Sequence, residues 1–208
     1  ILFSLGYAHP FAESSAALAA LSTDAVCSVS IETQLDTALE KLPSAKLLIV
    51  NALYWTMTQN EKYTPHRDQW AFELKNSQMA AIHSFVSNGG SLFASHTSTI
   101  CFDTQPGWIG LLGGGWAWDH SWHPPLGSIH VEPTKAAKDI CPGLKPFDVM
   151  DECYHDLDPA ADTTMLATCN TGNGAQPIIW TRKFGEGKVA VNALGHDPRS
   201  LMEPHHAM

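Results

Sequence analysis

Short unbroken apolar runs alternate along this chain with segments whose apolar residues recur every three or four positions. Ile1–Gly6 reads as the remainder of a buried first strand closed by a glycine. Lys46–Asn51 and Ser91–Ser95 read the same way, because a continuous apolar run marks a strand covered on both faces. Glu13–Leu21 and Thr33–Leu42 have helical spacing, the second stopped by Pro43, and Val26–Ile31 alternates like a strand. Gln69–Asn88 predicts one long amphipathic helix with Phe72, Met79, Ile82, Phe85 and Val86 inward and Asn88-Gly89-Gly90 as its stop. Thr58–Asp68 is polar and loop-like. The second half is richer in strands: Ser128–Val131, one within Pro146–Tyr154, Thr164–Thr168, Pro177–Thr181, and Lys188–Leu194 after the turn Gly185-Glu186-Gly187. Strand–helix alternation predicts an α/β domain over 1–208, with a mostly parallel central sheet covered by helices on both faces and extended by antiparallel pairs.

Composition narrows the possible partners. The formal charge is −9 with only 12 Lys and Arg, which form no run, so a phosphate backbone has no surface to bind. Nucleic acid is excluded on that ground. Five cysteines (Cys27, Cys101, Cys141, Cys153, Cys169) lie at irregular spacing without a CxxC pair. They are expected to be buried free thiols in a reducing compartment, which places the chain in the cytoplasm. No apolar stretch approaches the roughly 18 residues of a membrane helix. An apolar content of 44% leaves room for a homo-oligomer.

The candidate chemistry lies where the predicted strands end. In a parallel α/β sheet ligands bind beyond the carboxyl ends of the strands, and His9, His96, His196 and the pair His120/His123 all fall at such ends or in a Trp-rich loop. The stretch from Asn88 to Ser98 has the layout of a nucleophile elbow, but it presents His96 rather than Ser or Cys. Imidazole there is a metal ligand, an acid/base or a structural hydrogen-bonder. Trp108–Trp122 holds four of the seven tryptophans, and Trp116 and Trp118 offer either sugar-stacking faces or core plugs. Glu152 is a candidate base or ligand and Tyr154 a proton donor, in an acidic segment that is otherwise a solvated turn. Asp197 stands beside His196, positioned to orient its ring.

These motifs together resemble the ThuA-like (trehalose utilisation) family, within the class I glutamine amidotransferase-like superfamily. The matching stretches are the first-strand end with His9, GGSLFASHTS (89–98), LLGGGWAWDH (111–120), DECY (151–154) and IIWTRKFGEGKVAVNALGHD (178–197). The resemblance implies a flavodoxin-like three-layer α/β fold. It also implies that the amidotransferase cysteine is replaced by His96, so glutamine hydrolysis is not expected. The family is tied to sugar catabolism beside enzymes that make 3-keto sugars. The loop 116–120 is more aromatic than the family's pattern, which suits a larger or flatter substrate.

The expectation is a sugar- or glycoside-processing hydrolase, lyase or isomerase acting on a keto-sugar or related oxo-compound. His96, Glu152, His196 and Tyr154 are assigned to catalysis, and His9, Tyr54, Trp116, Trp118, Asp119 and Arg182 to binding a carbohydrate. His96, His120 and His196 are assigned to a divalent metal, zinc, which imidazole and carboxyl donors suit. The rival expectations are a metal-free acid/base enzyme and a non-catalytic sugar-binding or regulatory module.

Overall fold

A computed structural model describes residues 1–24, 28–172 and 174–208. The chain runs β1 (Leu2–Gly6), α1 (Phe11–Asp24), β2 (Ile31–Glu32), α2 (Leu35–Glu40), β3 (Leu47–Leu53), α3 (Arg67–Trp70), α4 (Asn76–Ser87) and β4 (Ser91–Ser95). It continues through α5 (Pro106–Leu112), β5 (Gly127–Pro133), α6 (Lys135–Ile140), β6 (Phe147–Asp151), β7 (Thr164–Asn170), β8 (Ala175–Phe184), β9 (Gly187–Asn192) and α7 (Pro198–Leu201). One sheet takes all nine strands in the order β2-β1-β3-β4-β9-β8-β7-β5-β6.

The sheet is mixed, which corrects the expectation of a mostly parallel one. β2, β1, β3, β4 and β9 are parallel neighbours, whereas β9, β8, β7, β5 and β6 pair antiparallel throughout. The parallel strands are buried on both faces, as β3 shows from Leu48 to Leu53. β5 and β6 instead alternate buried and exposed residues, the mark of a sheet with one wet face.

The antiparallel half also curls. β6 lies four strands beyond β9, about 19 Å away across a flat sheet, yet Asp151 at its end accepts a hydrogen bond of 2.7 Å from the Gly195 N–H just past β9. Register shifts between β7 and β8 at Met165–Thr168 add local bend. This curl brings the acidic segment after β6 over the carboxyl ends of the parallel strands.

Other departures have local causes. The predicted long helix 69–88 is broken, because Ala71 turns extended and the Phe72 N–H donates to the Trp55 carbonyl. Phe72 then stacks on Tyr54 with ring centroids 4.7 Å apart instead of lining a helix face. The predicted strand 26–31 lies partly outside the described residues, and of the rest only Ile31 pairs, with Glu32, as β2. Cys153 and Cys169 form a disulfide, correcting the expectation of free thiols for these two, while Cys101 and Cys141 are unpaired and Cys27 lies outside the described residues. That pairing removes the thiol argument for a reducing compartment. Among the described residues no helix is long and apolar enough to cross a membrane.

Candidate functional site

Four loops deliver the site. The chain leaving β1 carries His9, β4 runs straight into His96, the turn after β9 carries His196, and the segment after β6 carries Glu152. Their ligand-capable atoms all lie within 4.8 Å of one another. The geometry is held by unusual backbone: Ala8, His96 and Gly195 have φ of 63°, 46° and 117°. For the non-glycine residues such values are strained and persist only where the surroundings impose them. At Gly195 an added Cβ would meet Leu201 Cδ2 at 3.0 Å and Ser95 Oγ at 3.3 Å. Gly195→Ala is therefore expected to destabilise the fold by roughly 1–3 kcal/mol. An unchanged urea midpoint would remove the claim of a tight left-handed turn.

Hydrogen bonding sets the imidazole tautomers. The His96 Nδ1–H donates to the Ala193 carbonyl at 2.9 Å, and a carbonyl can only accept. The His96 Nε2 lone pair is therefore free to accept, and the Tyr154 hydroxyl donates to it at 3.1 Å. The His9 Nδ1–H likewise donates to the Tyr7 carbonyl at 3.3 Å. His9 Nε2 is left buried without a partner, and so is His196 Nδ1. Glu152 Oε2 stands 3.6 Å from His96 Nε2 and 3.5 Å from His196 Nδ1, close in charge but not hydrogen-bonded in geometry.

Burial opposes ionisation of Glu152, but the imidazoles of His196 and His96, then His123, outweigh it and hold the carboxyl well below its usual range. Glu152 in turn raises His196. Burial, reinforced by His96 and His196, pushes His9 down to about 4, so His9 is a neutral imidazole with a free lone pair. Burial, with the charges of Glu152 and Asp151, raises Tyr154 well above the ordinary tyrosine range and keeps its hydroxyl protonated. Three nitrogens and one carboxyl oxygen, two of the nitrogens orphaned, form a donor set of the kind that holds zinc.

The cluster opens into a cavity of about 470 Å³ lined by Tyr7, His9, Trp55, Lys62, Tyr63, Trp116, Trp118, His123, Glu152, Tyr154 and His196, among others. The four tryptophans of the 108–122 stretch divide by role. Trp108 is fully buried, with its N–H on the Ser98 carbonyl. Trp116 and Trp118 line the cavity, and Trp122 is half-exposed and stacks on His155 with centroids 4.0 Å apart.

Not every candidate residue comes together here. His120 lies outside the four-residue cluster, exposed and bonded through its two nitrogens to Asp119 and Asp158, which raise its pKa. Asp119 is exposed beside it. Tyr54 packs between Phe3 and Phe72. Arg182 donates to the Gly110 carbonyl and to Asp162, behind the glycines of the loop. Asp197 does not orient His196; it caps α7 and pairs with Arg199. His9, assigned above to substrate, joins the would-be ligands. Two residues that the sequence reading named without giving them a role belong to the site. His123 faces Glu152 Oε1 with Nδ1 at 3.6 Å, and Asp151, wholly buried, accepts from Gly195 N–H, Glu152 N–H and the Ser200 hydroxyl.

Fold and site together define a mixed α/β protein in which a histidine occupies the elbow above the sheet. The chain belongs to the ThuA family, described as trehalose utilisation, whose profile matches residues 1–207, and so to a family tied to sugar metabolism. The fold is shared with ThuA-like proteins from Bacteroides uniformis (14% identity, TM-score 0.74) and Parabacteroides merdae (13%, 0.76), each over 99% of this chain and 85% of the other. A β-galactosidase from Rahnella sp. R3 also carries it, with 16% identity and a TM-score of 0.58 over 95% of this chain and 25% of that one. No curated protein matches the chain.

Proposed function

We propose that this protein is an enzyme of sugar metabolism that acts on an oxidised, keto form of a sugar or glycoside. In this reading His9, His96, His196 and Glu152 hold a divalent cation, zinc by donor set. The observation that carries it is the convergence of four donor atoms within 4.8 Å, two of them buried nitrogens without a hydrogen-bond partner. A tetrahedral ion about 2.0–2.1 Å from each ligand spaces its ligands roughly 3.3 Å apart, near the 3.5 and 3.6 Å separations that Glu152 keeps from His196 and His96.

A cation held by these four residues would polarise a substrate carbonyl, and so acidify the neighbouring C–H, only by accepting it as a fifth donor. The remaining work falls to this chain's own side chains. With His96 Nε2 taken up as a ligand, the Tyr154 hydroxyl that donates to it here would be released to donate a hydrogen bond to the substrate oxygen. With Glu152 committed to the cation, proton transfer passes instead to His123. Its Nδ1–H donates to the Pro124 carbonyl at 2.9 Å, which leaves Nε2 to accept a proton. Abstraction beside a carbonyl leads to elimination or isomerisation, and places the enzyme among lyases or isomerases.

Elemental analysis of the purified protein is expected to show about one zinc per chain. His96→Ala should lose the metal while keeping its circular dichroism spectrum. Failure of the wild-type protein to bind zinc in calorimetry would refute the metal reading. A metal-free acid/base enzyme is the second reading. It is favoured by the Glu152–His196 pair, whose opposite pKa shifts balance charge without a cation. Turnover surviving exhaustive chelation would select it.

A further inference from the structure

We infer that the cavity has an outer compartment, walled by Trp118, Trp116 and Tyr63, that seats a flat, neutral second ring attached to the sugar ring held at the imidazole–carboxyl cluster. This rests on the proposed function and adds the shape of its substrate. Reading outward from His96, the ring centroids of Tyr154, Trp116 and Trp118 follow in steps of 4.8, 5.3 and 5.9 Å. Each step is about the width of one ring. Trp118 is stacked on Trp55 with an interplanar angle of 19°, and Trp55 is only 2% exposed. One face of Trp118 is thereby covered and its orientation set, while the residue still lines the cavity. Trp116 meets Trp118 at 68°, making a corner rather than a flat wall. Tyr63, which also lines the cavity, meets Trp55 edge-on at 89°.

Core tryptophans in this protein look different. Trp108 and Trp180 are fully buried, and their N–H groups reach the Ser98 and Leu112 carbonyls at 2.9 Å. The indole nitrogens of Trp55 and Trp116 are buried with no acceptor in the protein. Buried donors are normally paired, so a hydroxyl-bearing ligand beside Trp116 would supply what the chain omits. Trp rings suit this task, since they combine a flat apolar face with an N–H at the edge. Among the described residues lining the cavity Lys62 is the one cation besides the histidines, and its Nζ lies 4.8 Å over the Tyr63 ring. No arginine fork lines the wall to take a phosphate or carboxylate, and Glu152 disfavours an anion. The volume of about 470 Å³ falls in the range of small-ligand sites, not of a polymer groove.

Calorimetry with the purified protein tests this, using methyl glucoside, 4-nitrophenyl glucoside (both anomers), trehalose and cellobiose. A two-ring compound is expected to bind about tenfold or more tightly than methyl glucoside. The aryl and disaccharide arms show which kind of second ring fits. Trp118→Ala should abolish the preference for a two-ring compound, and Trp118→Phe should restore most of it. Equal affinities of one- and two-ring compounds in the wild type would overturn the outer compartment while leaving the sugar reading intact. Tighter binding of 4-carboxyphenyl glucoside than of 4-nitrophenyl glucoside would overturn its neutrality. No binding of any of these sugars would overturn the compartment, while the keto-sugar reading stands or falls by its own zinc and turnover tests.

Discussion

Glu152→Gln is expected to lower zinc affinity by at least about 100-fold, since even residues that only orient a metal's ligands cost 10–100-fold when changed. The change is nearly isosteric, so the cavity keeps its shape. What it removes is the charge that faces His96 and His196 at 3.6 and 3.5 Å. His123→Gln should behave differently: His123 touches the other carboxyl oxygen and lies outside the four-residue cluster, so zinc should stay while turnover falls by about 10²–10⁴. Competition with a chromogenic chelator reads the first quantity, and any keto-sugar assay reads the second. Zinc affinity unchanged in Glu152→Gln would mean that the three imidazoles suffice and that the carboxyl belongs to the acid/base chemistry alone. Zinc lost in His123→Gln would mean that the ligand set is misassigned.

Much of this site could be read from the linear pattern, and what could not has a common cause. His96 was legible because an apolar strand after Gly89-Gly90 ends on it, and the elbow shows in its φ of 46°. His196 and His9 were legible for the same reason, each following a buried strand. The parallel half of the sheet rests on local rules: strand, helix, strand, with residues beyond each carboxyl end exposed to a crevice. The antiparallel half obeys no such local rule. Nothing near Asp151 or Glu152 in the sequence says that β6, at the sheet's far edge, curls back onto the turn after β9. Glu152 was therefore recognised by its chemistry, while the buried partner beside it went unassigned. His120 illustrates the reverse error. Its neighbours suggested a ligand, but loop residues 116–123 turn back so that His123 and not His120 enters the cavity. Likewise Tyr54 and Arg182 carry suitable side chains and are spent on packing and on backbone carbonyls. The Cys153–Cys169 bridge was invisible for the same non-local reason, since β5 lies between the two strands that deliver its halves.

Asp151→Ala is expected to be the most damaging single change to stability, costing roughly 3–5 kcal/mol. Its carboxyl is wholly buried, and its oxygens meet donors from two remote elements. Oδ1 accepts from the Glu152 N–H at 2.7 Å, and Oδ2 accepts from the Gly195 N–H at 2.7 Å, from the His196 N–H at 3.4 Å and from the Ser200 hydroxyl. Truncation leaves those donors buried and unpaired, which costs about 1–3 kcal/mol for each that finds no water. The effect should reach the site as well as the fold. Asp151 is the contact by which the end of β6 is tied to the turn carrying His196, so its loss should let Glu152 and His196 drift apart. Asp151→Asn separates the two consequences: its single carbonyl oxygen keeps one of the two acceptor positions, while its NH₂ group opposes the donors at the other. The Asn variant is expected to stay folded, with a lower urea midpoint than the wild type, and to bind zinc more weakly by about 10–100-fold, as a residue that orients ligands would. Guanidinium or urea unfolding and zinc calorimetry on the same samples make the comparison. An Asn variant that loses stability but binds zinc like the wild type would show that Asp151 serves the curl of the sheet and not the placement of His196.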